Sequence, residues 1–368
     1  MNPYEHGGGA EYQISLLIDA LVASGGHEVH YVTHFVNCSS KSRNYSVRDI
    51  GGGGPVPRLG YMMKGWSLYQ ALRDISPHVI YQRVACAYTG LCALYSMRRS
   101  IPMLWHVAHD TDVAPQVLEP ARNVPRQRLE KWAVEFGARN ATGIVVQTQH
   151  QAQLLKKHYN RTADKVIPNF HPPATESIDK SGEFTVLWIA NLKQWKRPEV
   201  FVRLAGRFAT RKDIRFVMVG APAAAAGNIT WRKSLMREIE AAPNLHYLGE
   251  KTQDEVNTLL AQSHVLVNTS THEGFPNTFI QAWLRDAAVV SLSVDPDGVL
   301  ERDNVGIATH TEPALEAAVR KLLDDPDSLS GYAKRGREHA KAHHSLANSL
   351  QLVELIETFG RRVQHQPV

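Results

Sequence analysis

The sequence predicts an α/β protein of two domains, each built on a parallel β-sheet. The chain has 368 residues, of which 43% are hydrophobic and 21% are charged, which is enough for two ordinary hydrophobic cores. Along most of the chain, short apolar segments that end in glycine, proline or asparagine alternate with segments of helical spacing. This alternation is typical of doubly wound sheets, which bind ligands at the carboxyl ends of their strands.

One such strand end is the basis of most of the functional prediction. Residues 264–268 form a short apolar strand, residues 274–277 supply turn chemistry, and Pro276 suits the first position of the helix that follows. The amides and the positive dipole end at the start of that helix suit a phosphate or a sugar oxygen. Glu273 stands just before them, although a lone glutamate at this place could instead cap the helix.

This stretch resembles the Glu-x7-Glu signature of the retaining glycosyltransferases of family four. The first half of the signature is matched by Glu273, Gly274, Phe275 and Pro276. The second glutamate is replaced by Gln281, and the glycine and proline that usually follow the helix are replaced by Asp286 and Ala288. The resemblance implies the GT-B fold, in which two Rossmann-like domains with parallel sheets face each other.

A second match follows the first strand of the C-terminal half. Residues 191–198 resemble the family's phosphate site, with Lys196 on its lysine and Asn191 in place of its arginine. Positive charge there would stabilise a departing diphosphate, and Lys193 and Arg197 are further cations nearby. The same residues could also form a solvated corner between a strand and a helix.

The N-terminal glycines form a third match. Gly7, Gly8 and Gly9 precede an apolar helical pattern, as in the family's first loop, and glycines let backbone amides approach a diphosphate or a sugar closely. The dinucleotide fingerprint itself fails because Tyr12 occupies its third glycine position, so a flexible turn is the alternative. A strand is expected before this loop, although only six residues precede Gly7.

The resemblance implies roles for individual residues. Lys196 and the amides of residues 275–277 would hold the diphosphate, and Glu273 would hold the transferred sugar. His109 is the third catalytic candidate, with His106 as the competing alignment, and Gln281 would hydrogen-bond the ribose. The remaining donor-binding candidates are Gly8, Gly9, Asn191, Gly220, Lys251, Gly274, Phe275, Pro276 and Asn277.

Composition and charge narrow the choice of partners. Lysine and arginine outnumber aspartate and glutamate by 41 to 36, which gives a net charge of +5 and an isoelectric point near 9.0. Such a balance suits a sugar nucleotide, a lipid phosphate or a membrane surface, whereas the sequence shows no nucleic-acid-binding motif. A basic amphipathic segment at residues 122–139 could lie on anionic lipid or pack on its own domain.

Cysteine usage and the N-terminus predict the compartment. Cys38, Cys86 and Cys92 lack metal-ligand spacing, and the first residues lack a signal pattern. We therefore expect a cytoplasmic protein that could rest on the inner face of a membrane. Two Asp-x-Asp pairs, at residues 110–112 and 295–297, lack the context of a metal-diphosphate site, so no metal is expected.

The domain boundaries follow from the same patterns. We predict an N-terminal, acceptor-side domain at residues 1–167, a linker at residues 168–182 and a C-terminal, nucleotide-sugar-binding domain at residues 183–345. A last helix within residues 346–368 is expected to cross back to the first domain. Residues 38–64, rich in serine, glycine and basic residues, predict a mobile surface loop.

The sequence thus predicts a glycosyltransferase that moves a sugar, with retention, from a UDP- or GDP-linked donor to a hydroxyl of a glycan or a lipid-linked acceptor. Surface polysaccharide or glycolipid assembly is the expected setting, and no cofactor is implied beyond the donor. The replacements at Asn191 and Gln281 leave a GT-B binding or regulatory subunit open as an alternative. A nucleotide-sugar epimerase is a third possibility because it shares the fold.

Overall fold

The protein folds into two compact units. The computed structural model describes residues 8–33, 44–51, 57–114, 125–222 and 229–364. The N-terminal unit comprises Met1–Asn169 and Leu346–Val368, and the C-terminal unit comprises Phe170–Ser345. The chain therefore passes from one unit to the other after Asn169 and returns after Ser345.

In its described residues, the N-terminal unit contains two parallel sheets. One pairs β1 (His30–Thr33) with β2 (Ser46–Asp49), and the other has the strand order β3-β4-β5-β6. The four strands of the second sheet are β3 (Ile80–Arg83), β4 (Met103–His106), β5 (Gly143–Val146) and β6 (Lys165–Val166). The helices that accompany these sheets are α1 (Gly9–Ser24), α2 (Pro57–Ile75), α3 (Ala87–Arg99), α4 (Asp110–Val113), α5 (Pro125–Asn140) and α6 (Gln149–Tyr159).

The prediction of a loop over residues 38–64 is wrong for the part that the structure describes. β2 lies inside that range, and α2 begins there at Pro57. β2 contains a single apolar residue, Val47, and its other side chains are exposed, so it lacks the apolar run that marks a buried strand. Its backbone pairing with β1 defines it instead. Residues 38–43 and 52–56 of the predicted loop lie outside the described residues.

The C-terminal unit has a six-stranded parallel sheet among its described residues. The strands are β7 (Phe184–Ile189), β8 (Ile214–Val219), β9 (Leu245–Tyr247), β10 (Val265–Asn268), β11 (Ala288–Ser291) and β12 (Gly306–Ala308). Their order across the sheet is β12-β11-β10-β7-β8-β9. The first strand of this unit, β7, is thus central. The next two, β8 and β9, lie on one side of it, and β10, β11 and β12 lie on the other side. This is the doubly wound order, whose topological switch point lies between β7 and β10.

Helices cover both faces of this sheet. They are α7 (Pro198–Arg207), α8 (Ile229–Ala241), α9 (Gln253–Gln262), α10 (Asn277–Leu284), α11 (Val299–Arg302), α12 (Glu312–Asp324) and α13 (Pro326–His343), and α14 (Ala347–Gln364) follows in the N-terminal unit. Successive side chains of a strand point to opposite faces, so Trp188 enters one buried cluster with Phe201 of α7. Leu187 enters the other cluster with Phe279 of α10.

α10 and α13 are held together by a close contact between an indole and a glycine. Trp283 is fully buried, and its Nε1 donates to the carbonyl oxygen of Val305 at 2.9 Å. A Cβ placed on Gly336 would lie 2.2 Å from Cδ1 of Trp283, which is far inside van der Waals contact. Gly336 is therefore required because no side chain fits between α13 and the indole ring.

We expect Gly336→Ala to lower the free energy of unfolding by about 1–3 kcal/mol, because the added methyl group overpacks the contact with Trp283. Gly331→Ala is the matched control in the same helix, since its Cβ would meet only the end of the Arg335 side chain, 3.0 Å away. Alanine also favours helix over glycine by about 1 kcal/mol, so the control should be neutral or stabilising. Urea unfolding followed by circular dichroism measures both. An equal loss in the two variants would contradict the packing role of Gly336.

Candidate functional site

Two loops of the C-terminal unit meet beside the switch point of its sheet. Lys196 lies in the loop after β7, and Glu273 lies in the loop after β10. The Nζ of Lys196 donates a hydrogen bond to Oε1 of Glu273, and only 16% and 11% of the two side chains are exposed. The structure thus brings together the two residues that the sequence predicts as the centre of the site.

The backbone of Lys196 is attached to the core of the sheet. Its carbonyl oxygen accepts from Oγ1 of Thr269 at 2.6 Å, and that hydroxyl oxygen accepts from Nε1 of Trp188 at 2.9 Å. Lys196 closes a single 3-10 turn, and Arg197 then adopts the left-handed conformation with φ of 50°. Pro198 begins α7 directly afterwards, so Arg197 is the single residue between the 3-10 turn and the helix.

An aromatic pair covers the ion pair. The ring of Trp195 stacks on His272 with 5.2 Å between the ring centroids, and the Nζ of Lys196 lies 4.0 Å from the centroid of the indole. The amide of Thr271 donates to the carbonyl oxygen of Trp195 at 2.9 Å, which joins the two loops through their backbones. This geometry gives the ammonium a cation–π contact in addition to its carboxylate partner.

The electrostatic environment of Lys196 follows from its burial. Burial lowers the pKa of Lys196, because it removes water from the ammonium, and the negative charge of Glu273 opposes this shift. Glu273 has a second donor, the hydroxyl of Ser270, at 2.8 Å from Oε1. Trp195 and His272 were not predicted as site residues, because their contact joins loops far apart in the sequence. Ser270 was also missed, although it lies only three residues before Glu273.

The start of α10 lies directly after this centre. Pro276 is the residue before the helix rather than its first residue, a difference of one position from the prediction and within the usual spread of helix assignments. Gly274, Phe275 and Pro276 are buried, and Oδ1 of Asn277 lies 3.3 Å from Nε2 of His171. Glu273 therefore precedes a helix start that is packed within the C-terminal unit.

Gln281 and Lys251 both have partners on α9. Only 3% of Gln281 is exposed, and its amide nitrogen donates to Oε1 of Gln253 at 3.1 Å and to Oδ1 of Asn257 at 2.9 Å. Lys251 pairs with Glu255 at 2.9 Å. The structure thus places these two donor-binding candidates beside α9, and their predicted contacts to a nucleotide remain predictions.

Gly220 and Asn191 lie at the carboxyl ends of β8 and β7. A Cβ on Gly220 would lie 1.7 Å from the carbonyl oxygen of Ala190, so the close approach of these two strand ends requires glycine. The side chain of Asn191 is exposed in the loop that leads to Lys196. Gly220 therefore has a packing requirement that holds with or without a ligand.

The site candidates of the N-terminal unit lie at the starts of two helices, α1 and α4. Gly8 caps α1, Gly9 is its first residue, and Gly7 lies outside the described residues. His109 caps α4, where its Nδ1 accepts from the amide of Thr111 at 3.2 Å. These positions assign no ligand to any of the three residues, so their roles remain predictions.

His106 belongs to a buried polar cluster that the sequence did not reveal. Nη1 of Arg83 lies 3.0 Å from its Nδ1, and the hydroxyl of Tyr81 lies 2.6 Å from the same atom. Burial lowers the pKa of His106 well below its usual value, and the charge of Arg83 adds to this shift. Nη2 of Arg83 also donates to Oδ1 of Asn169 at 2.7 Å. His106 is thus enclosed among protein groups, whereas His109 is partly exposed.

Comparison with solved structures identifies the fold. Sucrose-phosphate synthase from Thermosynechococcus elongatus superposes with a TM-score of 0.78 at 18% identity, covering 97% of this chain and 96% of that one. Anabaena HepE, solved in complex with UDP and glucose, gives 0.73 at 17% identity and covers 95% and 96%. WaaG, a glycosyltransferase involved in lipopolysaccharide biosynthesis, gives 0.75 at 14% identity, with coverage of 95% and 96%. The architecture is the GT-B fold, as the sequence predicts.

Sequence comparison identifies the family. Residues 7–174 match the model of glycosyltransferase family 4, and residues 183–325 match that of glycosyl transferases group 1. The D-inositol 3-phosphate glycosyltransferase of Corynebacterium diphtheriae is 22% identical over 263 residues, which cover 66% of this chain and 61% of that protein. The matched region thus spans less than two thirds of that relative. The chain belongs to glycosyltransferase family four, which confirms the predicted resemblance.

We expect Glu273→Gln to lower the pKa of Lys196 further, because the amide retains the shape of the glutamate but removes the charge that stabilises the ammonium. Competitive labelling of lysine amines with acetic anhydride across a pH series, read by mass spectrometry, gives the titration midpoint of each lysine. The midpoint of Lys196 should move to lower pH, so that its amine reacts at pH values where the wild-type ammonium does not. The exposed Lys212 is the internal control. An unchanged midpoint for Lys196 would contradict the ion pair.

Proposed function

We propose that the protein transfers a glycosyl group from a nucleotide diphosphate sugar to a hydroxyl acceptor. One observation carries the proposal: Lys196 and Glu273 meet after β7 and β10, the two strands beside the switch point, where doubly wound sheets bind nucleotides. Family membership supplies the reaction class. A buried ion pair alone could be structural, but its place at this end of this sheet favours a binding role.

The chemistry of such a transfer assigns a task to each charged group. The bond between the anomeric carbon and the phosphate oxygen breaks, the acceptor oxygen bonds to that carbon, and the acceptor proton passes to the departing phosphate oxygen on the same face. This sequence gives retention of configuration. Lys196, with the amides at the start of α10, would stabilise the negative charge of the diphosphate. Glu273 would accept hydrogen bonds from the transferred sugar.

The positive charge that the diphosphate needs would come from the protein in this proposal, without a metal ion. One carboxylate of each Asp-x-Asp pair supports this view, because it binds backbone amides. Oδ2 of Asp112 accepts from the amides of Ala108 at 2.8 Å and His109 at 3.1 Å. Oδ1 of Asp295 accepts from the amide of Leu300 at 2.8 Å. These carboxylates therefore serve local backbone structure.

The donor is proposed to be a UDP- or GDP-linked sugar. HepE was solved in complex with UDP and glucose, so a uridine nucleotide is the first ligand to test. Gly8, Gly9, His109 and Gln281 are proposed to contact the donor, as the resemblance implies. The buried amide of Gln281 leaves its oxygen as the group that could accept from a ribose hydroxyl.

The acceptor is proposed to be a hydroxyl of a glycan or a lipid-linked sugar, used in surface polysaccharide or glycolipid assembly at the inner face of a membrane. The role of WaaG in lipopolysaccharide biosynthesis and the phosphorylated inositol named for the corynebacterial relatives support an anionic or lipid-linked acceptor. Across the described residues, no helix combines the length and the hydropathy needed to cross a bilayer.

A second candidate is a GT-B binding or regulatory subunit with impaired catalysis. Asn191 favours it, because a neutral amide stands where the family has an arginine, and so does Gln281, whose amide nitrogen is bound to Gln253 and Asn257. The two candidates predict the same affinity for a nucleotide but differ in turnover. Release of UDP or GDP from the matching sugar nucleotide therefore decides between them.

A membrane contact is proposed for α5. Leu129 and Trp132 are 54% and 61% exposed, and Arg128 and Lys131 lie on the same helix. Exposed apolar side chains beside basic ones suit an anionic lipid surface, where the rings enter the interface and the cations approach the head groups. Phe136 stacks on Trp132 with 5.6 Å between the centroids, so the exposed indole is held in place.

We expect Lys196→Gln to weaken binding of UDP or GDP about 10- to 100-fold, because a charged hydrogen-bond donor to the diphosphate is lost. Glu273→Gln should retain nucleotide affinity within a few-fold but lower kcat about 100-fold, because its contacts form with the transferred sugar. Calorimetry with both nucleotides and a nucleotide-release assay measure these effects. Lys212→Gln is the control of equal charge change and should behave as the wild type. Nucleotide binding without release in the wild-type protein would favour the regulatory subunit.

We expect the double variant Leu129→Ser, Trp132→Ser to lose binding to vesicles that contain anionic lipid by about tenfold or more, because each side chain contributes apolar burial. Co-sedimentation at moderate salt measures the bound fraction. Ile229→Ser, which removes another exposed apolar side chain from the C-terminal unit, should bind as the wild type does. A normal bound fraction for the double variant would contradict the assignment of α5 as the membrane contact.

A further inference from the structure

The C-terminal unit has a cavity of about 390 Å³. It lies at the opposite end of the strands from Lys196 and Glu273. The residues that line it include Lys180, His264 and Asp286, which precede β7, β10 and β11 respectively. It therefore lies at the amino ends of these strands. A four-residue strand rises about 13 Å, so the cavity is separate from the candidate site at the carboxyl ends. Its volume lies in the lower part of the range found for small-molecule sites.

One face of α13 forms the other wall of this cavity. Ser330, Lys334 and Arg337 are spaced by four and three residues, so they lie along one stripe of the helix. The hydroxyl of Ser330 and the two cations are all hydrogen-bond donors. The wall thus carries three side chains that can donate hydrogen bonds to an oxyanion.

The charges that line the cavity do not cancel. Three cations face one carboxylate, and that carboxylate is occupied: Oδ2 of Asp286 binds Nη1 of Arg337 at 2.8 Å. Lys334 is exposed and forms no ion pair with any residue that the structure describes. The Nζ of Lys180 donates to the carbonyl oxygens of Leu260, at 2.9 Å, and Ser263, which are neutral groups at the end of α9. Among the described residues, neither Lys180 nor Lys334 therefore has an ion-pair partner, although the charge of Asp286 also acts on Lys180.

His264 adds no charge to the cavity. Its Nδ1 accepts from the amide of Thr185 at 3.1 Å, so its Nε2 carries the proton that it donates to the carbonyl oxygen of Lys180 at 3.0 Å. Burial lowers the pKa of this imidazole, in agreement with the neutral form. The histidine thus fixes the backbone at Lys180 and leaves the lysines and the arginine to set the potential.

Asp286, the partner of Arg337, has an unusual backbone conformation. Its φ is 54°, in the left-handed region that costs free energy for residues other than glycine. This is the position at which the family pattern has glycine, so the carboxylate is a feature of this chain. The carboxylate orients the guanidinium of Arg337 beside Lys334, which would be an unfavourable pair of neighbouring cations without an anion.

We propose that this cavity binds the phosphate group of a small phosphomonoester, held by Lys334, Arg337, Ser330 and the ammonium of Lys180. A phosphomonoester carries nearly two negative charges at neutral pH and three acceptor oxygens, which match two cations without an ion-pair partner and an oriented guanidinium. The site is separate from the proposed transfer reaction and does not depend on it.

The protonation of Lys180 couples the site to pH. Burial lowers the pKa of Lys180 to about 8, and Asp286 opposes the shift. A bound dianion favours the ammonium, so it would raise this pKa and bring about proton uptake around pH 8. Above that pH the amine is neutral, and affinity for the anion falls. Asp286, His264, Lys334 and Arg337 are the other charged or titratable groups that line the cavity.

The test is a titration of methyl phosphate into the full chain at constant ionic strength, followed by the ³¹P line width. We expect saturable binding, a loss of about tenfold in affinity in Lys334→Gln and a larger loss in Lys334→Glu, because a charged hydrogen-bond donor is removed and then reversed. Affinity of the wild-type protein should fall as the pH rises through 8. Lys334 is exposed, so neither change disturbs the fold.

Two control variants distinguish binding in this cavity from binding elsewhere on the protein. Lys341→Gln makes the same charge change on the same helix away from the cavity and should bind methyl phosphate as the wild type does. Lys196→Gln should also retain this binding, whatever it does to nucleotide affinity. The proposal is overturned by absence of saturable binding, by an equal loss in Lys341→Gln, or by loss in Lys196→Gln with none in Lys334→Gln.

Discussion

The ion pair between Lys196 and Glu273 is the interaction on which the candidate site depends. Both side chains are largely buried, and a buried ion without a partner costs several kcal/mol. Such a pair adds little to stability compared with apolar residues of the same volume, because desolvation offsets the attraction. Its presence therefore has to be explained by what the charges do, and its place at the switch point of a doubly wound sheet supplies that explanation.

The sheet positions the pair through a short chain of contacts. The indole of Trp188 lies in the core, its Nε1 binds Thr269, and Thr269 binds the carbonyl oxygen of Lys196. The indole of Trp195, which stacks on His272, then lies against the ammonium. The position of Lys196 is thus fixed by the same strands that form the core, so that a charge needed by a ligand is held in place before the ligand binds.

The sequence predicted the strand that leads to Glu273, and it missed β2, which lies inside the predicted loop. The strand predicted at residues 264–268 is observed as Val265–Asn268, because all four of its residues are buried. β2 was missed because its side chains are mostly exposed. Lys196 and Glu273 were predicted from their local context. Their contact with each other spans 77 residues of sequence and could be expected only through the fold.

The replacements at Asn191 and Gln281 have opposite effects on the charge of the site. Asn191 removes one positive charge from the donor side and Gln281 removes one negative charge, so the balance between cations and carboxylates is preserved. Arg197 is paired with Glu312 at 3.1 Å, so it would have to share its guanidinium with that carboxylate to replace the lost arginine. Lys193 is a second cation beside the indole, with its Nζ 5.9 Å from the Trp195 ring centroid, but it forms no ion pair with Glu273. The site therefore retains one buried cation and one buried carboxylate that neutralise each other, and any diphosphate that binds must share Lys196 with Glu273.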